Sequence, residues 1–320
     1  LVAQATEKAV MEKAQFPKET SEQGAFVRQQ SAFRESVTAD GSSGFRAEPG
    51  RYHLYVSLAC PWASRAVIVR KLKGLEEVIP MTIVDPVRDE HGWRFFDEQP
   101  DPVNGFRYLS EAYAATDPSF DGRVTVPLLW DTRENRAVNN ESSEIIRMLN
   151  TEFDQWAGDP GLDLYPEPLR EEIDRTNDRV YNSINDGVYR CGFASTQWAY
   201  EEAFIEVFEA LDWADDLLGE RRFLLGDRIT EADWRLFATL VRFDAVYVGH
   251  FKCNQRRIAD YDNLAGYLRE LYQRPGIVET VDFDHIKRHY YMTHPQINPS
   301  RVVPAGPVLD LDSPPGRDHL

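Results

Sequence analysis

The chain has no apolar run approaching the roughly 18 residues that a membrane-spanning helix requires. Its first thirty residues also lack the apolar core of a secretory signal. Both absences lead us to expect a soluble, cytoplasmic protein with no membrane partner. Cysteine is scarce. Cys60, Cys191 and Cys253 are too few and too scattered for a disulfide framework, as suits a reducing compartment. None of them forms a Cys-x-x-Cys pair, so a local dithiol redox centre is excluded. Basic charge is in short supply as well. With 36 Lys and Arg against 53 Asp and Glu, the formal charge is −17, which disfavours nucleic acid and anionic membrane as general partners. No internal repeat is present.

Apolar content is ample by contrast: 42% hydrophobic and 12% aromatic residues over 320 positions allow two packed domains. Residues 1–50 read as a polar extension, irregular, packed through Phe16, Phe26, Phe33 and Phe45. "RYHLYVSLA" is strand-like, and Pro61 opens a helix that keeps Ala66, Ile68, Val69 and Leu72 at helical spacing. "VIPMTIVD", "VTVPLLWD" and "NRAVNN" read as further strands, and "YLSEAYAATDP" and "ESSEIIRMLN" as helices. The order β-α-β-α-β-β-α over residues 51–152 predicts a thioredoxin fold. Its connection at 85–108 is longer than usual, a kind of loop that tends to be functional or flexible. Beyond a linker at 153–168 the periodicity becomes helical through Leu169, Ile173, Val180, Ile184 and Val188, then Phe204, Val207, Leu211 and Leu218. An all-helical domain is therefore expected over 169–292. Within it, Thr230 and Asp233 form a structural capping box. The proline-rich segment 293–320 is expected as an extended wrap or partly disordered tail.

Cys60 stands between the first strand and Pro61, at the start of a helix. Free backbone N–H groups and the helix dipole stabilise a thiolate at such a place, so this is the setting of a nucleophile. A small buried apolar residue is the plainer reading, and the strand–Cys–Pro–helix placement outweighs it. With Ala63 and Ser64 where a resolving cysteine might stand, Cys60 can only form a mixed disulfide that a second small thiol resolves. In "TVPLL", a cis Val126–Pro127 bond would offer the Val126 backbone to an extended peptide-like ligand. Glu141 and Ser142 open the next helix. They are ordinary capping residues taken alone, but beside Cys60 they fit the ammonium and carboxylate of a γ-glutamyl group. Tyr189 reads first as a helix-packing aromatic with its hydroxyl at the rim. Trp93 could simply anchor its loop, Cys191 and Cys253 read as structural or idle, and His285 with His289 lack the further ligand a metal site needs.

At these residues the chain resembles the Xi class of glutathione transferases, the glutathionyl-hydroquinone reductases. The resemblance covers nearly the whole length. It rests on "CPWA" (60–63), "GWRFFD" (92–97), "GRVTVPLLWD" (122–131), "NNESSEIIRMLN" (139–150), "INDGVYRCGFA" (184–194) and "KRHYYMTHPQINP" (287–299). It implies a thioredoxin-fold domain followed by an all-α domain, the glutathione transferase architecture. It also implies glutathione as co-substrate without a metal, and a homodimer formed through the helical domain. Cys60 would be the nucleophile. Trp93, Arg123, Val124, Thr125, Val126, Glu141 and Ser142 would contact glutathione. Tyr189 would exchange a proton with the aromatic substrate, and Tyr247 and Tyr290 would hydrogen-bond the Cys60 thiolate. The alternatives are an Omega-like thiol transferase or dehydroascorbate reductase, and a non-catalytic binding module of the same fold. "INDGVYRCGFA" and "HYY" speak against the first, and the intact Cys60 against the second.

Overall fold

The computed structural model describes residues 19–320, so Phe16 lies outside the described residues. The chain divides into two compact units. One comprises Gln29–Leu162; the other comprises Glu19–Arg28 with Asp163–Leu320.

The first unit opens with two short strands, β1 (Val37–Thr38) and β2 (Phe45–Arg46), paired in parallel where the sequence suggested only irregular chain. Its main sheet follows as β3 (Tyr52–Val56), β4 (Met81–Ile83), β5 (Leu128–Asp131) and β6 (Arg136–Asn139), in the spatial order β4-β3-β5-β6. The β3–β4 pair is parallel and the other two are antiparallel. All five residues of β3 are buried, as expected of a strand covered on both faces. Helix α1 (Pro61–Leu72) packs on α3 (Ser142–Thr151), while α2 (Leu109–Thr116) lies along β6. This is the expected β-α-β-α-β-β-α order. Across β3 and β5, the Arg51 guanidinium reaches the buried Asp131 carboxylate at 2.6 and 3.0 Å. Gly74, at φ +62°, ends the turn after α1, and a Cβ there would meet the Gly158 backbone at 2.9 Å.

The long 85–108 connection is folded down on the sheet. Its organiser is Asp101, 3% exposed, whose carboxylate accepts the Tyr55 hydroxyl at 2.8 Å and the backbone N–H groups of Val103, Asn104 and Phe106. A buried carboxylate needs several such donors to offset its lost hydration. Phe95 packs edge-on against Tyr55 from the same loop.

The second unit contains α4 (Arg170–Val180), α5 (Gly187–Phe193), α6 (Gln197–Glu220), α7 (Glu231–Arg242), α8 (Leu264–Tyr272) and α9 (Phe283–Thr293). α4 continues into a π-helical turn at Tyr181–Asn185, and α7 into another at Phe243–Tyr247. The expected capping box holds: Thr230 and Asp233 cap α7 reciprocally, and the buried Asp233 also accepts from Leu224 N–H and the Tyr267 hydroxyl. The tail is an extended wrap. Lys287 donates to the Ala305 carbonyl, Gln273 to those of Leu311 and Ser313, and the buried Arg317 to that of Arg222.

Candidate active site

In the sheet unit, Cys60 is the N-cap of α1 and Pro61 its first residue, where the missing proline N–H leaves no bond unmade. It is the only partly exposed cysteine; Cys191 and Cys253 are buried in the helical unit. The Cys60 thiol points at the Val126 carbonyl, with Sγ 3.5 Å from the oxygen. The Val126–Pro127 bond is cis, as the sequence suggested. The backbone expected to receive an extended ligand thus already faces the sulfur.

The segment carrying Arg123, Val124, Thr125 and Val126 is held from behind by the buried hydroxyl of Tyr113. That hydroxyl donates to the Thr125 carbonyl at 2.8 Å and accepts from Thr125 N–H at 3.1 Å and from Asn140 Nδ2 at 3.1 Å. Burial pushes the Tyr113 phenol up from its ordinary value, so it stays protonated. Asn140 also donates to the Thr125 hydroxyl and exchanges hydrogen bonds with the backbone of Phe33, whose ring stacks near Tyr113. Arg123 N–H donates to Gln29 at 3.1 Å, so the extension borders this strand approach. Tyr113→Phe strips three hydrogen bonds from one point and leaves the partly buried Thr125 N–H and carbonyl short of a partner, which costs at most about 1–3 kcal/mol per group. The expected result is a lower Tm together with a glutathione KM raised several-fold and a smaller change in kcat. Unaltered KM and Tm would show that the Thr125 segment holds itself.

Glu141 caps α3. Its carboxylate accepts Ser143 N–H at 3.1 Å, the Ser143 hydroxyl at 2.9 Å and the Ser31 hydroxyl at 2.9 Å. Burial pushes this carboxyl up. The bonds from Ser143 and Ser31, with the charge of Arg65, outweigh burial and hold it below its ordinary value. Glu141 therefore remains an anion able to meet an ammonium. Ser142 is buried, and its Oγ accepts from the Arg65 guanidinium at 3.4 Å. Arg65 was not foreseen. It is 2% exposed within α1, five residues after Cys60, and adds positive charge beside the start of α3. The one available signal was a cation inside "CPWASRAVIV", an otherwise apolar helix. Trp93 is buried, with the Arg88 guanidinium 5.1 Å from its ring, and its carbonyl accepts Leu109 N–H at the start of α2.

In the helical unit, Tyr189, Tyr247 and Tyr290 come together. The Tyr290 hydroxyl lies 2.5 Å from that of Tyr189 and 2.9 Å from that of Tyr247. Burial, followed by the charges of Tyr189 and Tyr247, pushes Tyr290 well above the usual tyrosine value. Both π-helical turns serve this cluster. One ends at Tyr247, and the other lies just before α5, which carries Tyr189. Tyr247 stacks on Phe251 at 5.5 Å, and behind them His250 bonds His294 at 3.1 Å, its imidazole pushed down to about 4 by burial. Tyr290 faces inward and Tyr291 is half-buried, as two adjacent helical residues must diverge.

Cys191 and Cys253 are buried neighbours, in keeping with the structural or idle role expected of them: burial, then a hydrogen bond and the charge of Cys191, push the Cys253 thiol up. On α6 the exposed apolar side chains are Trp198 and Ile205. Among the described residues no group of three or more His, Cys, Asp or Glu could hold a metal ion, and no helix is long and apolar enough to cross a membrane.

The chain is similar to proteins already known. The family model of the glutathione S-transferase N-terminal domain matches residues 59–152, and that of the C-terminal domain matches residues 197–270. The chain is 54% identical over 291 residues to the glutathionyl-hydroquinone reductase PcpF of Sphingobium chlorophenolicum, covering 90% of this chain and 91% of that one. It is 52% identical to the glutathionyl-hydroquinone reductase YqjG of Escherichia coli, covering 92% and 93%. The glutathione-bound structure of YqjG superposes with a TM-score of 0.87 at 51% identity, over 89% of this chain and 96% of that one. The Xi-class glutathione transferase of Natrialba magadii superposes with a TM-score of 0.88 at 53% identity, over 90% and 89%.

Proposed function

The chain belongs to the Xi class of the glutathione transferase family, and we propose that it reduces glutathionyl-hydroquinones to hydroquinones, consuming glutathione and releasing oxidised glutathione. The observation that carries this reading is the single partly exposed thiol at a helix N-terminus beside a cis-proline segment, in a chain more than half identical to two reductases of that activity.

In the first step the Cys60 thiolate attacks the glutathionyl sulfur. The new S–S bond forms a Cys60–glutathione mixed disulfide as the sulfur–ring carbon bond breaks. The sulfur is oxidised and the ring carbon reduced, a proton taking the place of sulfur on that carbon. In the second step a glutathione thiolate attacks the mixed disulfide and expels Cys60 as the thiolate. An aryl carbanion is a very poor leaving group. If the ring carbon bearing sulfur is protonated first, giving the keto tautomer, the departing group is a phenolate. Its conjugate acid has a pKa of about 10, close to that of tyrosine. Proton exchange between matched phenols runs near equilibrium, which suits the Tyr189–Tyr290–Tyr247 trio. Three phenols carry three protons, and two internal hydrogen bonds use two of them.

On this reading Glu141 meets the γ-glutamyl ammonium, while Ser142 and the N–H groups at the start of α3 meet its carboxylate. The Val126 backbone pairs with the cysteinyl portion, and Trp93, Arg123, Val124 and Thr125 complete the glutathione contacts. The test is release of hydroquinone from a glutathionyl-hydroquinone, with one oxidised glutathione formed per turnover. Reduction of aliphatic mixed disulfides or dehydroascorbate without hydroquinone release would favour an Omega-like transferase instead.

We also place the enzyme in the cytoplasm, where glutathione is kept reduced, and read it as a homodimer formed through the helical unit. Trp198 and Ile205 support the dimer. They stand seven residues apart on one face of α6, and each is more than half exposed. Sedimentation is expected to give twice the mass of the chain, and a Trp198→Glu, Ile205→Glu double variant the mass of one chain. A monomeric parent protein would end this reading.

A further inference from the structure

The segment Glu19–Arg28 groups with the helical unit, although the chain that follows it, from Gln29, belongs to the sheet unit. It forms a tight hairpin. Thr20 bridges Phe26, Ser21 N–H donates to the Ala25 carbonyl at 2.8 Å, and Val27 N–H to the Glu19 carbonyl at 3.1 Å. Its tip sits on the turn between α5 and α6. The Gly24 carbonyl accepts Ser195 N–H at 2.9 Å, and the Gln23 carbonyl accepts the Thr196 hydroxyl at 2.9 Å. The approach is close enough to require glycine: Gly24 has φ +87°, and a Cβ there would meet Thr196 Cγ2 at 2.6 Å. Thr196 is also the cap of α6, so the hairpin is fastened to the residue that starts that helix.

What the hairpin delivers is Phe26, 6% exposed. Its ring centroid lies 5.5 Å from that of Phe193 and 6.4 Å from that of Tyr189. Phe251 closes on Tyr189 from another direction at 5.2 Å. Tyr189 thus lies among Phe26, Phe193 and Phe251, with its hydroxyl on Tyr290. At the other end of the hairpin, the charge of Arg28 acts with that of Arg190 on Asp186. This residue caps α5, and its backbone carbonyl accepts Tyr189 N–H at 3.0 Å. A flexible extension has no need of a left-handed glycine, three anchoring hydrogen bonds (the third from the Ser195 hydroxyl to the Gly24 carbonyl at 3.3 Å) and a buried aromatic unless its place matters.

We propose that the Glu19–Arg28 hairpin is a positioning element for Tyr189, with Phe26 as the positioning residue that fixes the orientation of the phenol. The proposal rests on the reductase reading above for its catalytic consequence but not for its structural one. A phenol that exchanges a proton must keep its oxygen within a few tenths of an ångström of its partner, and an aromatic ring is oriented by what packs on its faces.

The experiment compares the parent protein with Phe26→Ala and Phe26→Leu by two readouts. The first is the ¹⁹F resonance of 3-fluorotyrosine incorporated at position 189. It is expected to be sharp in the parent, broadened or split in Phe26→Ala, and largely restored in Phe26→Leu. The second is turnover on a glutathionyl-hydroquinone against a mixed disulfide of glutathione and 2-mercaptoethanol, which has no phenol. Phe26→Ala is expected to lower kcat on the hydroquinone conjugate about ten-fold and on the aliphatic disulfide less than two-fold, with Phe26→Leu recovering most of the loss. An unchanged fluorine signal, or an equal loss on both substrates, overturns the proposal. A parent protein that releases no hydroquinone overturns the reductase reading alone, and the fluorine signal still decides the positioning.

Discussion

Replacing Cys60 by alanine is expected to lower hydroquinone release by about three orders of magnitude or more, whereas Cys191→Ala and Cys253→Ala keep most of the activity. The asymmetry follows from what surrounds each sulfur. Cys60 is partly exposed at the first turn of α1, where unpaired backbone N–H groups and the helix dipole favour an anion. Cys191 and Cys253 are buried beside one another, and burial holds Cys253 protonated. Neither the helix nor its cap depends on the Cys60 side chain, which makes no capping hydrogen bond to α1, so the variant is expected to fold with a nearly unchanged Tm. Trapping adds a second readout: one glutathionyl group per chain on the parent when the second thiol is withheld, and none on Cys60→Ala. Full activity in Cys60→Ala would end the mixed-disulfide mechanism.

Much of this site could be read from the sequence because its signals are local. A cysteine before a proline after an apolar strand fixes the N-cap, and the β-branched Val126 before Pro127 marks the facing segment. Glu141 and Ser142 announce a helix start by residue type alone. What the sequence did not reveal depends on residues far apart in the chain. Arg65 matters because α1 packs on α3, 77 positions later at Ser142. Tyr113 read as one aromatic among others in α2 until the fold placed its hydroxyl on Thr125 and Asn140. The polar extension is divided between two units, and no periodicity in residues 19–28 says which helix will receive Phe26.

Tyr290→Phe and Tyr189→Phe are each expected to slow hydroquinone release about a hundred-fold, and the double variant to be little worse than either. Taken alone, the family resemblance gave the tyrosines separate tasks: Tyr247 and Tyr290 for the thiolate, and Tyr189 for the aromatic substrate. Their geometry also joins them. Tyr290 is fully buried and bonded to both neighbours, so it has one proton to give and must accept from at least one of them. Burial, with the charges of the other two phenols, keeps it neutral throughout the working pH range. Its removal deprives Tyr189 and Tyr247 of their shared partner, which weakens proton exchange along the trio and costs about 1–3 kcal/mol of stability. Removing Tyr189 breaks the same chain at its end, so the second substitution finds little left to remove. Turnover of an aliphatic mixed disulfide of glutathione, which releases no phenol, is expected to change only a few-fold in all three variants. If the losses multiply to about ten-thousand-fold in the double variant, the hydroxyls act independently and the separate tasks stand. If they do not, the trio is one acid–base unit, and Tyr247→Phe must fall in the same non-additive set.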